Sequence, residues 1–143
     1  MCDHRQVIAG IGIDVVAVPG FAEQLARPGT AFTRAFTPGE RRACAGQDRD
    51  AAARAKHYAA RWAAKEAFIK AWSAAVYGGP PVLPEAEMRE IEVVADAWGR
   101  PGLRLSGEVA VAVRASLGEV VLHVSLSHDG DVAAAYVVIE RAG

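Results

Sequence analysis

At 143 residues, with 52% hydrophobic and 23% charged side chains, the chain has the size and composition of one folded domain spanning 1–143, not of a disordered segment. Lys and Arg number 16 against 17 Asp and Glu, a net charge of −1, so no global field points to nucleic acid or an anionic membrane and any phosphate site has to be local. Cys2 and Cys44 lie far apart without CxxC or Cys/His ligand spacing and read as free thiols, while the absence of a signal-peptide core and of a membrane-length apolar run reads as a soluble, cytoplasmic protein.

The stretch Val7–Val16, VIAGIGIDVV, alternates as a strand does, with Val7, Ala9, Ile11, Ile13 and Val15 on one face and Ile8, Gly10, Gly12 and Asp14 on the other. The glycine face leaves room for a ligand beside the Asp14 carboxylate, although a carboxylate at a strand end serves equally well to cap the following turn. Pro19-Gly20 is expected to stop the strand, and Phe21–Leu25 to make a short helical turn before Pro28-Gly29. Thr37-Pro38-Gly39-Glu40 has the form of a capping box and predicts a helix through Arg41–Cys44.

Asp48 and Asp50 precede the longest helical segment, Ala51 to about Ser73, which lacks Gly and Pro and is dominated by Ala, Arg and Lys. Gly78-Gly79-Pro80-Pro81 closes it, and the chain to Pro84 reads as loop. Ile91–Val94, Leu103–Leu105, Val120–Leu126 and Val132–Ile139 are predicted strands, with Gly107–Leu117 a helix among them. The last two strands form a hairpin about Ser127-His128-Asp129-Gly130-Asp131, whose Asp and Gly residues favour a turn. The order predicts an α+β fold, one long helix packed on a mainly antiparallel sheet.

In Arg61-Trp62-Ala63-Ala64-Lys65-Glu66-Ala67-Phe68-Ile69-Lys70, helical spacing puts Trp62, Glu66 and Lys70 in one row. This is either an exposed Glu66–Lys70 pair or a half-buried carboxylate that needs a cation. Asp14 and Glu66, two carboxylates from different elements with a lysine nearby, suit Mg²⁺, which keeps its own waters and takes one or two protein carboxylates plus phosphate oxygens. Ser127 and His128 can present a hydroxyl and an imidazole to an anion, with Asp129 favouring the protonated ring; an ordinary surface histidine in a turn fits the sequence as well. Gly99-Arg100-Pro101 reads first as a turn, and His4, His57 and His123 show no ligand spacing and read as structural.

Taken in order, Gly12-Ile13-Asp14, Phe36-Thr37-Pro38-Gly39-Glu40, Arg61-Trp62-Ala63-Ala64-Lys65-Glu66-Ala67 with Lys70, Gly99-Arg100-Pro101 and Ser125-Leu126-Ser127-His128 resemble the short holo-[acyl-carrier-protein] synthases of the 4′-phosphopantetheinyl transferase superfamily. The resemblance covers nearly the whole chain. It implies that family's fold and the transfer of 4′-phosphopantetheine from coenzyme A to a serine of an apo acyl carrier protein, or of a carrier domain of a fatty acid or polyketide synthase, leaving 3′,5′-ADP. Asp14 and Glu66 would then hold Mg²⁺ against the coenzyme A diphosphate, Lys70 would neutralise the transferring phosphoryl group, and Glu66 or a metal-bound water would take the serine proton.

Arg61, Arg100, Ser127 and His128 would hold the phosphates of the nucleotide, and Pro101 would pack on the adenine. The resemblance further implies a homotrimer, each site drawing Asp14, Glu66 and Lys70 from one chain and Ser127 and His128 from its neighbour. One departure concerns the carrier. The family's first helix is basic where it meets the acidic carrier, whereas Val18–Leu25 here contains no base, and Arg27 and Arg34 are the nearest substitutes. The competing reading, a coenzyme A-binding oligomeric module without transferase activity, has the intact carboxylate pair and Lys70 against it.

Overall fold

The computed structural model describes residues 7–46 and 50–142, so Cys2, His4 and Asp48 lie outside the described residues. In chain order the elements are β1 (Ile8–Ala17), α1 (Val18–Ala26), a 3₁₀ turn (Ala31–Ala35), α2 (Pro38–Ala45), α3 (Ala51–Ala75), a second 3₁₀ turn (Met88–Glu90), β2 (Ile91–Ala95), β3 (Pro101–Leu105), α4 (Gly107–Leu117), β4 (Val120–Asp129) and β5 (Val132–Arg141). The strands form two antiparallel sheets, one ordered β1-β5-β4 and one made of β2 and β3 alone. This is the expected α+β arrangement, with the sheet divided in two.

Local chemistry accounts for the helix starts. Thr37 Oγ1 accepts the Glu40 N–H at 3.1 Å and Glu40 Oε1 accepts the Thr37 N–H at 2.9 Å, a complete capping box at the head of α2. Asp50 Oδ1 accepts from Ala53 N at 2.8 Å and caps α3. α1 begins earlier than expected, because Pro19 sits in its first turn, where no intrahelical N–H is needed. Pro19-Gly20 thus starts a helix where a break was expected.

The glycine face of β1 has a different role from the one its sequence suggests. A Cβ on Gly10 would lie 1.9 Å from the Ala71 carbonyl oxygen, and one on Gly12 would lie 1.9 Å from that of Ala67. The room beside these glycines is therefore filled by the backbone of α3. Ala59, Ala60, Ala63, Ala64, Ala67 and Ala71 keep the helix surface equally low, so that α3 lies against β1 and against Ala135, Val137 and Ile139 of β5. Phe68, Ile91, Val109 and Val113 complete this core, and a second cluster joins Phe21 and Phe36 to Ala55, Ala59 and Ala60.

The other face of the three-stranded sheet is open. Ile11, Ile13, Val15, Val121, Val132 and Tyr136 project from it, with Ile13 56% and Val15 61% exposed. The hairpin is tighter than expected: β4 runs on through Asp129, paired with Val132, and Gly130 turns the chain at φ +56°. Ser127 and His128 consequently lie within a strand, opposite Ala134 and Ala133.

Candidate active site

Beyond the two glycines, Asp14 is the first side chain on that face of β1, and it meets α3. Lys70 Nζ lies 3.0 Å from Asp14 Oδ1 and donates to the Ile13 carbonyl oxygen at 3.0 Å; the lysine side chain is 54% exposed and the aspartate 17%. Glu66, one turn earlier on α3, has its carboxyl pushed above the usual glutamate value, first by burial, then by the negative charge of Asp14, with Lys70 acting in the opposite direction. Two carboxylates and one ammonium leave an excess of negative charge at the point where β1 crosses α3.

A divalent cation would relieve that excess. Among the described residues no group of three or more His, Cys, Asp and Glu could hold a metal, and the acidic donors available at this crossing are the two carboxylates of Asp14 and Glu66. That set fits Mg²⁺, which retains waters and leaves positions open for phosphate oxygens, better than zinc, whose sites draw three or four protein ligands mainly from histidine and cysteine. Trp62, expected in the same row, turns instead into an aromatic cluster, with ring centroids 4.7 Å from Phe32 and 6.3 Å from Phe21. It walls a cleft of about 570 Å³ with Arg34, Met88 and Arg89.

The remaining expected residues divide. A cavity of about 510 Å³ is lined by His57, Arg61, Gly99, Pro101, Leu126 and His128. Arg61 Nη1 donates to the His57 carbonyl oxygen at 3.3 Å, while its Nε is buried with no hydrogen-bond partner among the described residues. A buried cationic donor without an acceptor is matched to an anion. The His57 and His128 rings stand edge to face with centroids 6.4 Å apart. His57 was read as structural, yet it lies one turn before Arg61 on α3, the helical spacing that places both in one wall.

Two residues are not brought into that cavity's lining. Arg100 is bound to its own turn, its Nε 2.6 Å from Asp96 Oδ2 and its guanidinium 5.3 Å from the Trp98 ring centre. Hydrogen bonds to Asp96, chiefly from the Arg100 backbone N–H, hold that carboxyl below the usual range. Ser127 falls on the opposite face of β4 from His128, since successive side chains of a strand alternate, and shares the open sheet face with Tyr136. Asp14, Glu66 and Lys70 are likewise outside the cavity. Glu66 stands nine residues beyond His57 on α3, about 13.5 Å along the axis.

Comparison with known proteins identifies the family. A family model described as the 4′-phosphopantetheinyl transferase superfamily matches residues 10–137. Holo-[acyl-carrier-protein] synthase of Mycobacterium sp. (strain KMS) is 56% identical over 134 residues, covering 94% of this chain and 98% of the relative, and that of Mycobacterium tuberculosis (strain ATCC 25177 / H37Ra) is 53% identical over 133 residues, covering 93% and 97%. Among solved structures, the ACPS-CoA complex of Chronobacterium ammoniagenes superposes with a TM-score of 0.85 at 51% identity, over 94% of this chain and 98% of that one. With nearly its whole length matched by the family model, by these relatives and by the solved structure, the chain belongs to the holo-[acyl-carrier-protein] synthases of the 4′-phosphopantetheinyl transferase superfamily.

Proposed function

We propose that Asp14, Glu66 and Lys70 form the transfer site of this chain and that Asp14 and Glu66 hold a Mg²⁺ ion there. The chain transfers the 4′-phosphopantetheine group of coenzyme A to a serine of an apo acyl carrier protein, leaving 3′,5′-ADP. The observation that carries the site is the meeting of two carboxylates and a lysine where β1 crosses α3, with Glu66 made proton-hungry by burial and by Asp14. When bound, Mg²⁺ supplies charge neutralisation at the diphosphate. Lys70, half exposed, is free to swing from Asp14 toward the phosphoryl group as negative charge redistributes on it. Glu66, or a water at the metal, would receive the proton of the attacking serine.

The nucleotide end of coenzyme A occupies the cavity of Arg61, Pro101 and His128, where the unpartnered Arg61 Nε awaits an acceptor. Arg100 joins it only by giving up Asp96. The open face of the three-stranded sheet supports assembly into a homotrimer, since a second copy would cover Ile13, Val15 and Tyr136. In that assembly Asp14, Glu66 and Lys70 of one chain face His128 of its neighbour, while Ser127, on the opposite face of β4, lies on the covered sheet surface. The acceptor is a free acyl carrier protein or the carrier domain of a fatty acid or polyketide synthase, and the reaction takes place in the cytoplasm.

The test is a mass measurement on an apo carrier incubated with coenzyme A and Mg²⁺. The parent chain adds the phosphopantetheine mass, whereas Glu66→Gln and Asp14→Asn abolish the addition while keeping the parental unfolding midpoint, because each removes an anionic ligand without altering side-chain volume much. Transfer at the parental rate by either variant removes the metal assignment. Coenzyme A binding by the parent without any mass gain would make the protein a binding module.

A further inference from the structure

The block Phe36–Glu40, and the Lys65 that precedes Glu66, have no part in the transfer as described. The fold joins them to each other. Lys65 is fully buried, and its Nζ donates to Glu40 Oε1 at 2.8 Å, to the Met88 carbonyl oxygen at 3.0 Å and to the Ile91 carbonyl oxygen at 2.6 Å. These three bonds use all the donors of an ammonium, so none is left for a substrate. Glu40, also fully buried, accepts from Thr37 N through Oε1 and from Val93 N at 2.9 Å through Oε2. The Phe36 ring centre lies 5.5 Å from the ammonium.

The connection continues outward through Thr37 Oγ1, which donates to Glu92 Oε2, while Glu92 Oε1 accepts from Arg104 Nη2 at 2.7 Å. Three consecutive residues of β2 are thereby tied to α2 and α3: the Ile91 carbonyl, the Glu92 side chain and the Val93 N–H. β2 pairs with β3 and with no strand of the larger sheet, so no ladder hydrogen bond fixes this hairpin to the rest of the described residues. Its far end carries Gly99 and Pro101 into the cavity that also holds Arg61, one helical turn before Lys65. Apolar contacts of Ile91 and Val93 with the core hold the hairpin down but permit sliding; hydrogen bonds at fixed angles do not.

We propose that Glu40 and Lys65 are a positioning pair, which sets the gap between α3 and the β2–β3 hairpin and through it the grip of the cavity on the nucleotide of coenzyme A. Net stability is not its contribution, because burying two charges costs as much as their attraction returns, and well-packed apolar residues of equal volume serve the fold as well. The inference rests on the nucleotide lying in the cavity of Arg61 and His128.

The deciding variant is Glu40→Met with Lys65→Met, which replaces both charges together with side chains of similar size and leaves no ion unpaired. Its unfolding midpoint is expected within a few degrees of the parent and its kcat at saturating coenzyme A within about threefold, while KM for coenzyme A rises about tenfold, the order seen when an outer positioning contact is lost. An unchanged KM in the folded double variant overturns the positioning role. Should that variant not fold, Glu92→Ala decides the matter: it removes the Thr37 tie to the same hairpin from outside the buried pair, and a KM rise of about threefold supports the role whereas parental KM overturns it. Arg61→Ala is measured alongside. If it leaves KM for coenzyme A unaltered, the nucleotide is not in this cavity and the proposed site itself fails; if it raises KM while the double variant does not, the role of the pair alone falls.

Discussion

Glu66 sits between two charges of opposite sign, and each should be visible in its titration. Asp14 raises its pKa and Lys70 lowers it, on top of the larger effect of burial. Asp14→Asn should therefore bring the Glu66 pKa down and Lys70→Ala should drive it up, in a carbon-detected NMR titration of the carboxyl; a shift in the opposite sense in either variant would mean the charges do not face one another. A metal held there would use the ionised form only. If Glu66 holds Mg²⁺, protons compete with the ion for it, so apparent Mg²⁺ affinity should weaken as pH falls through its raised pKa, by up to about tenfold per pH unit, a dependence calorimetry can follow. Lys70→Ala should also lower kcat on the order of 10²-fold with little change in coenzyme A affinity, since a charge facing the transferring group acts most strongly in the transition state. A normal kcat with a raised KM would place Lys70 at the edge of the site.

Among the elements, the crossing of β1 and α3 is what brings Asp14 to Glu66, and the glycines of β1 set how near the two can come. Gly12→Ala would place a methyl 1.9 Å from a backbone oxygen of α3, an atom that cannot swing aside as a side-chain tip would. The expected cost is about 3 kcal/mol or more in denaturant unfolding, at the upper end for overpacking, with loss of transfer in whatever remains folded. An alanine tolerated at Gly12 with full activity would mean that α3 lies farther from β1. The same crossing explains a limit of the sequence reading. Alternation separated Ile11, Ile13 and Val15 from Gly10, Gly12 and Asp14 correctly but failed at the start of β1, where a bulge between Ile8 and Gly10 leaves Ile8 exposed and packs Ala9 against the core; the apolar-rich face bearing Ile11, Ile13 and Val15 is the exposed one and the glycine face is inside. Hydrophobicity alone assigns these faces the wrong way round, because close backbone approach needs the absence of side chains.

At the scale of the whole molecule, that exposed apolar face becomes the surface on which a trimer would form. If each site takes Asp14 from one chain and His128 from the next, Asp14→Ala and His128→Ala chains are inactive alone and complement one another when co-expressed. At equal expression three quarters of the trimers are mixed, and each mixed ring holds one site in which both residues are intact. About a quarter of the parental activity should then return in a carrier-loading assay. No recovery in trimers verified as mixed would place both residues of a site in one chain.

Much of the architecture was local and therefore legible. The Gly- and Pro-free run of α3, the Thr37–Glu40 capping box, the Asp50 cap and the period-two strands follow from interactions within a few residues, and the order of short blocks along the chain carried the family resemblance. The spacing of Glu66 and Lys70 on one helix was readable for the same reason. What the tertiary structure alone decided involves residues far apart in sequence: Asp14 against Lys70, Glu40 against Lys65, His57 against His128. Local preference even misled at Ser127–Asp129, whose turn-forming residues lie in an edge strand because Gly130 closes the hairpin more tightly. The sequence by itself determined which segments are helix or strand and which residue types could carry phosphoryl transfer; the packing of α3 into the glycine face decided which of them meet, since carboxylates from separate elements interact only where a fold brings backbone to backbone.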